Sequence, residues 1–341
     1  CSSDLVTVQY FHFFFKLRGD TGMDITELKR TLKGTFEGLY DYRLHLLRIK
    51  QIKKCDKLSS MDKNEYPVLL AKMYEERIGH SLDWNNLRTY TEKMQWEKLY
   101  DDNPLKVQLS DKYAVRDWVK NKIGEKYLIP ILGVWDRYED IDFDTLPKQF
   151  VLKTNHGSGT NLIVKDKSKI NHRRVSRMFT EWLKTDYAYV SGFELHYSKI
   201  KPKIIAEKYM ASFENDLPDY KFLCFDGNPM YCRVDMGRFA DHVRSVFDKE
   251  WIRQDWNQGN YPPCPNVPRP QNYDEMLEVA AKLSQGFSHV RVDLYNINGA
   301  IYFGEMTFTS GSGLEPNVPE SADVMLGEKW NLDIKQDASV I

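Results

Sequence analysis

Residues 290–313 read VRVDLYNINGAIYFGEMTFTSGSG. This stretch predicts two short strands joined by a turn at Asn298-Gly299, a two-residue hairpin signal. Asp293 is expected to end the first strand and Glu305 the second, so that a hairpin closed at the turn brings the two carboxylates together at one end. Paired carboxylates beside an arginine, here Arg291, make a seat for a hard divalent cation bridged to phosphate oxygens. An Asp and a Glu on a hairpin are more often plain surface residues, so this stretch alone leaves both readings open.

A second stretch shifts the balance. Phe150-Val151-Leu152-Lys153 is a short apolar run ending in lysine, followed by TNHGSGTN at 154–161 and by Leu162-Ile163-Val164. The pattern is strand, small-residue loop, strand. A loop with Gly157, Ser158 and Gly159 can fold its N–H groups over phosphates, because glycine permits close approach and positive φ. It is not a P-loop: GxxxxGK[ST] is absent, and Lys153 precedes the loop. A Gly-Ser-Gly loop is usually only a turn. A lysine ending a buried strand is less usual, since lysine is rarely buried without a partner.

The 341 residues suffice for one large domain or two to three smaller ones. Lysine and arginine total 48 against 49 acidic residues, which argues against nucleic acid as the main partner. KIKPK at 199–203 reads as a solvated basic loop. Five cysteines, odd in number and scattered without metal-ligand spacing, suggest neither a disulfide framework nor a zinc site. They fit a reducing, cytoplasmic setting. No apolar run approaches the ~20 residues that span a bilayer. The chain starts at Cys1, and an aromatic, strand-like run at 6–15 precedes Met23. Met23 reads as the natural start, with residues 1–22 an extension; a mature lipoprotein, which also begins with Cys, is the lesser alternative.

Residues 23–120 read as mostly helical, with helices over 23–54, 66–78, 91–100 (Thr91 as N-cap) and 110–123, the last opened by Ser110-Asp111 and ended by Gly124. Strands are expected at 128–130, 131–135, 150–153, 162–164, 204–210, 220–225 and 230–234, with a turn at 226–229. Helices are expected at 172–184 and 273–287, and the proline-rich stretch 261–270 as an extended loop.

Order and spacing together resemble the ATP-grasp superfamily: a lysine before a Gly-rich flap, an acidic hinge, R-x-D, and a final strand with Glu. The closer resemblance is to its TupA-like branch, named for teichuronopeptide biosynthesis. It rests on Glu92-Lys93-Met94-Gln95-Trp96, Asp111-Lys112-Tyr113-Ala114-Val115-Arg116, Leu132-Gly133-Val134-Trp135, residues 150–159, Asp219-Tyr220-Lys221-Phe222 and Gly304-Glu305-Met306-Thr307-Phe308. The resemblance implies an α+β, ATP-grasp fold. Two α+β subdomains sandwich ATP behind a mainly helical N-terminal region. The boundaries are 1–22 extension, 23–125 helical front, 126–210 small subdomain with the flap, and 211–341 large subdomain with the metal site.

The resemblance also assigns roles. Lys112 and Lys153 reach the α-phosphate, and Gly157, Ser158 and Gly159 cover the phosphates. His156 donates to a phosphate oxygen or is a loop histidine with no chemical role. Lys208 and Met210 pair with adenine through their main chains, beside Tyr209, and Glu207 touches adenine or ribose. Asp219 and Lys221 serve ribose and phosphate, or merely line the sheet. Arg116, one turn after Lys112 on the expected helix, shares its face; two cations there call for an anion, an ATP phosphate or a substrate carboxylate. Asp293 and Glu305 hold Mg²⁺ or Mn²⁺. Thr307 stands where most ATP-grasp enzymes have Asn, and its hydroxyl is the third candidate ligand. Arg291 stabilises charge on the transferred phosphoryl group, with Lys153 and Arg116 beside it in catalysis.

The implied reaction joins a carboxylate to an amine through an acyl phosphate. By the branch's association the substrates are a uronic acid, as a sugar or glycan, and an amino acid or amine in surface polysaccharide synthesis. A kinase using the same ATP site, a glycosyltransferase-associated protein and a non-catalytic nucleotide-binding module stay open as alternatives.

Overall fold

The hairpin closed at Asn298-Gly299 extends further than its sequence suggests. In the computed structural model, which describes residues 25–210, 218–237 and 241–332, strands β9 (His289–Ile297) and β10 (Ala300–Thr307) flank the turn. Asn298 and Gly299 take φ of 53° and 83°, the left-handed pair that lets a two-residue turn follow the strand twist. Asp293 is therefore in the middle of β9 rather than at its end. The ladder shifts register between Phe303 and Glu305, and that shift sets Glu305 opposite Asp293 and Thr307 opposite Arg291. The aromatic run at 6–15, the reading of residues 1–22 as an extension and the subdomain boundary at 210/211 fall on or beside residues outside those described.

β9 is an interior strand. With β5 (Asp219–Phe225), β6 (Asn228–Met236) and β7 (Val243–Asp248) the hairpin forms a five-stranded antiparallel sheet in the order β10-β9-β5-β6-β7. The last of these strands has no counterpart in the sequence reading, and neither has the short β8 (Asn257–Gln258) that follows it. Side chains on a strand alternate between faces, and the two faces of this sheet differ sharply. Tyr220, Phe222, Cys224, Cys232, Val234, Val290, Val292 and Leu294 are buried with Tyr273, Met276, Val279, Ala280 and Leu283 of a helix spanning Tyr273–Ser284. The other face carries Asp219, Lys221, Arg233, Asp235, Arg244, Arg291 and Asp293. The register pairs Lys221 with both Asp293 and Arg233, and Asp235 with both Asp219 and Arg244. Further along that face Leu223 and Val246 join Tyr90, Met94 and Leu326 in a separate apolar cluster.

A smaller antiparallel sheet comprises β1 (Ile131–Trp135), β2 (Phe150–Thr154), β3 (Asn161–Val164) and β4 (Ile204–Lys208), in the order β1-β4-β2-β3. Phe150, Leu152, Ile204 and Ala206 pack with Val175 and Phe179 of the helix His172–Lys184. The alternate residues Val151, Lys153 and Glu207 are left for the opposite face. Residues 128–130, expected as a strand, instead leave a 3₁₀ turn at Glu125–Tyr127, and pairing starts at Ile131.

Among the described residues five helices precede the sheets: α1 (Ile25–Ser59), α2 (Tyr66–Ile78), α3 (Tyr90–Tyr100), α4 (Pro104–Ser110) and α5 (Val115–Lys122). The described residues up to 50 and those from 51 onward form separate units, and everything below concerns the second. Two expectations change here. The N-cap of α3 is Thr89, not Thr91: Thr89 accepts from Glu92 N, and Glu92 Oε2 accepts in return from Thr89 N at 2.8 Å, a full capping box. The helix expected over 110–123 is confined to α5, which starts at Val115, while Ser110 ends α4. Asp111 Oδ1 accepts from Tyr113 N at 2.8 Å and Ala114 N at 3.2 Å, a local bond that competes with helix continuation. Asn103 and Pro104 open α4 as cap and first residue.

Thr89→Ala removes one half of the box at a buried site. It is expected to lower stability by about 1 kcal/mol, read as a shift of the urea midpoint with unchanged slope; an unchanged midpoint would mean the cap adds nothing.

Candidate active site

Strand alternation concentrates charge on one face of the large sheet, and around Arg291 the polar side chains there pair with one another. Arg291, 6 % exposed, donates from Nε and Nη2 to the two oxygens of Asp293 at 2.6 and 2.8 Å. Nη2 also reaches Glu305 Oε1 and Thr307 Oγ1, each at 3.0 Å. Lys221 Nζ bridges Asp219 and Asp293, the latter at 2.9 Å. Burial alone would raise the Asp293 carboxyl, but Arg291 and Lys221 outweigh it and hold the group well below the usual carboxylate range. Burial likewise opposes the charge on Arg291, and Asp293 and Glu305 more than restore it. Glu305 is the accessible member, with 35 % of its side chain exposed.

The small sheet and its loop supply the opposing wall. Lys153, on the strand before the loop, lies 2.6 Å from Glu207 Oε2 on the neighbouring strand, which is the partner a half-buried lysine needs. Thr154 and Thr160 close the loop's base side chain to side chain at 2.5 Å. Gly157 has φ of 81°, and a Cβ there would run into the ring of Tyr187, so both its conformation and its neighbour require glycine.

Lys112 comes from the turn between α4 and α5. Its main-chain N–H donates to Asn155 O at 3.0 Å and its Nζ donates to Gly157 O, so it grips both ends of the loop's first half. Burial lowers its pKa, opposed by the Glu305 charge. Lys112 and Arg116 thus do not share a helical face as the sequence suggests, because the Asp111 turn separates them.

These walls bound a cleft of about 410 Å³. It is lined by Lys112, Lys153, Gly157, Ser158, Gly159, Glu207, Lys208, Tyr209, Asp219, Lys221, Asp293 and Glu305. The structure therefore gathers these expected residues from five separate parts of the chain. The others stand apart from it. Arg116 and Met210 line a neighbouring cavity of about 540 Å³ that shares Lys208 with the cleft. His156 is buried with Nε2 at 3.2 Å from Thr185 O, and burial lowers its pKa. Arg291 and Thr307 are not among the lining residues and reach the site through Asp293 and Glu305.

Among the described residues no three His, Cys, Asp or Glu side chains cluster as a metal site. Asp293, Glu305 and the Thr307 hydroxyl, which donates to Glu305 Oε1 at 3.1 Å, form an all-oxygen set. That set suits a hard cation of the Mg²⁺ kind, which commonly takes one or two protein carboxylates and keeps its remaining positions for water and phosphate oxygens.

Two groups of residues escaped the sequence reading. Arg233, Asp235 and Arg244 extend the charged face. Their signal was present: Arg-Val-Asp occurs twice, at 233–235 and at 291–293. The second group holds the turn after β10. Gln95 Nε2 donates to Gly313 O at 2.7 Å, and buried Lys98 donates to Ser312 O at 2.9 Å. Burial pushes the Lys98 pKa down to about 7. Lys93 donates to Gly327 O and Trp330 O at 2.7 and 2.6 Å. The motif over 92–96 is thus a clamp on the polypeptide behind the carboxylate hairpin rather than a part of the cleft.

The model of the TupA-like ATP-grasp family matches residues 92–331. No curated protein matches significantly. Among solved structures, the D-alanine–D-alanine ligase of Helicobacter pylori is 14 % identical with a TM-score of 0.39, over 65 % of this chain and 61 % of its own. The Bacillus anthracis D-alanine–D-alanine ligase complexed with ATP is 16 % identical, TM-score 0.34, over 59 % and 53 %. A phosphoribosylamine–glycine ligase of Thermotoga maritima is 12 % identical, TM-score 0.33, over 62 % and 52 %. The chain thus spans little more than half the length of these structures. Among the described residues no helix is long and apolar enough to cross a membrane.

Proposed function

Because the chain belongs to the TupA-like ATP-grasp family and has its α+β fold, we propose that it is an ATP-dependent carboxylate–amine ligase. The observation that carries this reading is the cleft itself. One cavity is lined by Lys112 and Lys153, the glycine loop, the end of β4 and the carboxylates Asp293 and Glu305, the set that holding and transferring a nucleotide's terminal phosphoryl group requires.

In this reading the main chain around Lys208 and Tyr209 meets adenine, Lys112 and Lys153 neutralise phosphate charge, and the loop at 157–159 covers it. Asp293 and Glu305, with Thr307, would hold Mg²⁺, which when bound neutralises phosphate charge. A substrate carboxylate oxygen attacks the γ-phosphorus, and the bridging oxygen leaves with ADP. The amine lone pair then attacks the acyl carbon, phosphate leaves, and an amide remains once the amine proton passes to water. We assign a uronic acid and an amino acid or amine as the substrates, and a cytoplasmic setting, where ATP is at hand.

The test is an ADP-release screen of uronic acids and their glycans against amino acids, with products identified by mass. Amide formation with one ADP per product supports the ligase. A phosphorylated hydroxyl without amide replaces it with a kinase.

Lys153→Ala removes a phosphate contact and leaves Glu207 without its cation beside the nucleotide. ATP affinity is expected to fall by roughly 1.5–3 kcal/mol, about 10- to 150-fold, measured by calorimetry; unchanged affinity would end the assignment of Lys153 to the phosphates.

A further inference from the structure

The charged face of the large sheet continues past Lys221. Arg233, Asp235 and Arg244 lie on the next two strands, each 5 % exposed or less. Asp235 Oδ1 accepts from Arg244 Nε at 2.5 Å and lies 3.0 Å from His242 Nε2. The nearest approach of Arg233 to this carboxylate is 3.6 Å, from Nε to Oδ2, too long for a hydrogen bond. Glu315, 3.4 Å from Arg244, is more exposed. Two buried guanidiniums therefore depend chiefly on one buried carboxylate, and Arg244 holds the better part of it.

Arg233 keeps only that longer ion pair as its counter-charge, and its hydrogen-bonding company is neutral. Its Nη1 donates to the Gln258 amide oxygen, and its Nε has no hydrogen-bond partner among the described residues. A charge taken out of water needs a counter-charge, and an amide oxygen supplies only a dipole. The same Gln258 oxygen accepts from Ser310 Oγ at 3.2 Å, and Ser310 Oγ accepts from Arg291 Nη1 at 2.7 Å. Two neutral oxygens thus bridge Arg233 to the arginine beside the carboxylate pair. A carboxylate offers two anionic oxygens to donors arranged in this way, and its bonds to guanidinium are the stronger kind.

Resting on the ligase reading above, we propose that Arg233 seats the carboxylate of the acceptor substrate, and that Gln258 Oε1 holds the place one of its oxygens takes. Arg244 is a positioning residue. It stacks on Tyr261 at 4.0 Å and fixes Asp235 between the two arginines. The substrate class is a carboxylate presented at β6, the strand beside β5, whose Asp219 and Lys221 line the cleft. A neutral sugar or alcohol finds no complement there.

The test uses the full chain with Mg²⁺ and ADP present throughout. Thermal stability is followed while D-glucuronate, D-galacturonate or L-glutamate is added, with sodium chloride at equal ionic strength and D-glucose as controls. At least one carboxylate is expected to raise Tm with a saturating dose response, and neither control should. Arg233→Gln should weaken that response at least tenfold while ADP affinity stays within twofold. Gln258→Glu puts a carboxylate on Arg233 from within; it should raise the Tm of the free protein and abolish the added carboxylate's effect. If no carboxylate stabilises the wild type, or if Arg233→Gln responds as the wild type does, the seat is elsewhere. The two readings fail separately. A carboxylate that drives ADP release with the same KM in wild type and Arg233→Gln overturns the seat and leaves the ligase. Carboxylate binding that needs Arg233, with no ADP release from any of them, overturns the ligase and leaves the seat.

Discussion

Glu305→Gln is expected to lower ATP turnover by at least about a hundredfold, the scale of removing one well-placed charge-stabilising group, with little loss of stability. The second half of this expectation comes from the structure. A third of the Glu305 side chain is exposed, and its bonds to Arg291 and Thr307 can both be accepted by an amide oxygen. Asp293→Asn is different. Asp293 is the shared counter-ion of Arg291 and Lys221, and all three are buried. Neutralising it takes the shared counter-charge from two buried cations, leaving Lys221 to Asp219 and Arg291 to Glu305, and breaking buried pairs of this kind typically costs about 3–5 kcal/mol. The two substitutions should therefore separate: both silence turnover, but only Asp293→Asn should lower the urea midpoint substantially. Mn²⁺ binding in the presence of ADP, followed by electron paramagnetic resonance, gives a readout apart from activity. Glu305→Gln with near-normal turnover and Mn²⁺ affinity would remove the metal-site reading.

The parts of this site that could be read from sequence are those set by local rules. Asn298-Gly299 announces its turn because positive φ at both positions is a local requirement. Lys153 stands out because a lysine in an apolar strand needs a partner, although the sequence could not say that the partner is Glu207. The position of Asp293 within its strand was not legible in the same way. How far the ladder runs depends on β5, which pairs with β9 from His289 to Tyr295 and arrives from some seventy residues earlier in the chain. The setting of Lys112 is not legible for a local reason, the Asp111 side chain, which holds a turn where periodicity alone would open a helix and delays that helix to Val115. Arg233 and Arg244 were missed because only the register of four strands shows that they share a face with Arg291. The alternation in DYKF, RVD and VRSVFD was visible, yet alternating strands ordinarily turn their charges to water, and here the charges turn inward.

Arg291 carries the other large expectation. If the reaction passes through an acyl phosphate, hydroxylamine should trap it as a hydroxamate when ATP and the carboxylate are present and the amine is withheld. The trapped yield depends on two features of the cleft. The 157–159 loop must cover the intermediate, since water would otherwise hydrolyse it. Lys112, which holds that loop through Gly157 O, links the cover to the phosphate wall. Arg291 must stabilise charge on the phosphoryl group in the first step, so its loss should suppress hydroxamate by at least about a hundredfold. Arg291→Ala confounds this, because it also strips Asp293 of its bidentate partner and Glu305 of its only guanidinium contact among the described residues, at about 3–5 kcal/mol for breaking a buried pair. Arg291→Lys keeps the charge and gives up the fork that reaches Asp293, Glu305, Thr307 and Ser310 at once. It should retain the fold, as judged by an urea midpoint close to wild type, and lose hydroxamate formation. A carboxylate that drives ADP release in the wild type but yields no hydroxamate, with its hydroxyl phosphorylated instead, would give the kinase reading the site. An Arg291→Lys protein that folds and traps hydroxamate at the wild-type rate would show that charge alone matters there and that the fork has only a structural role.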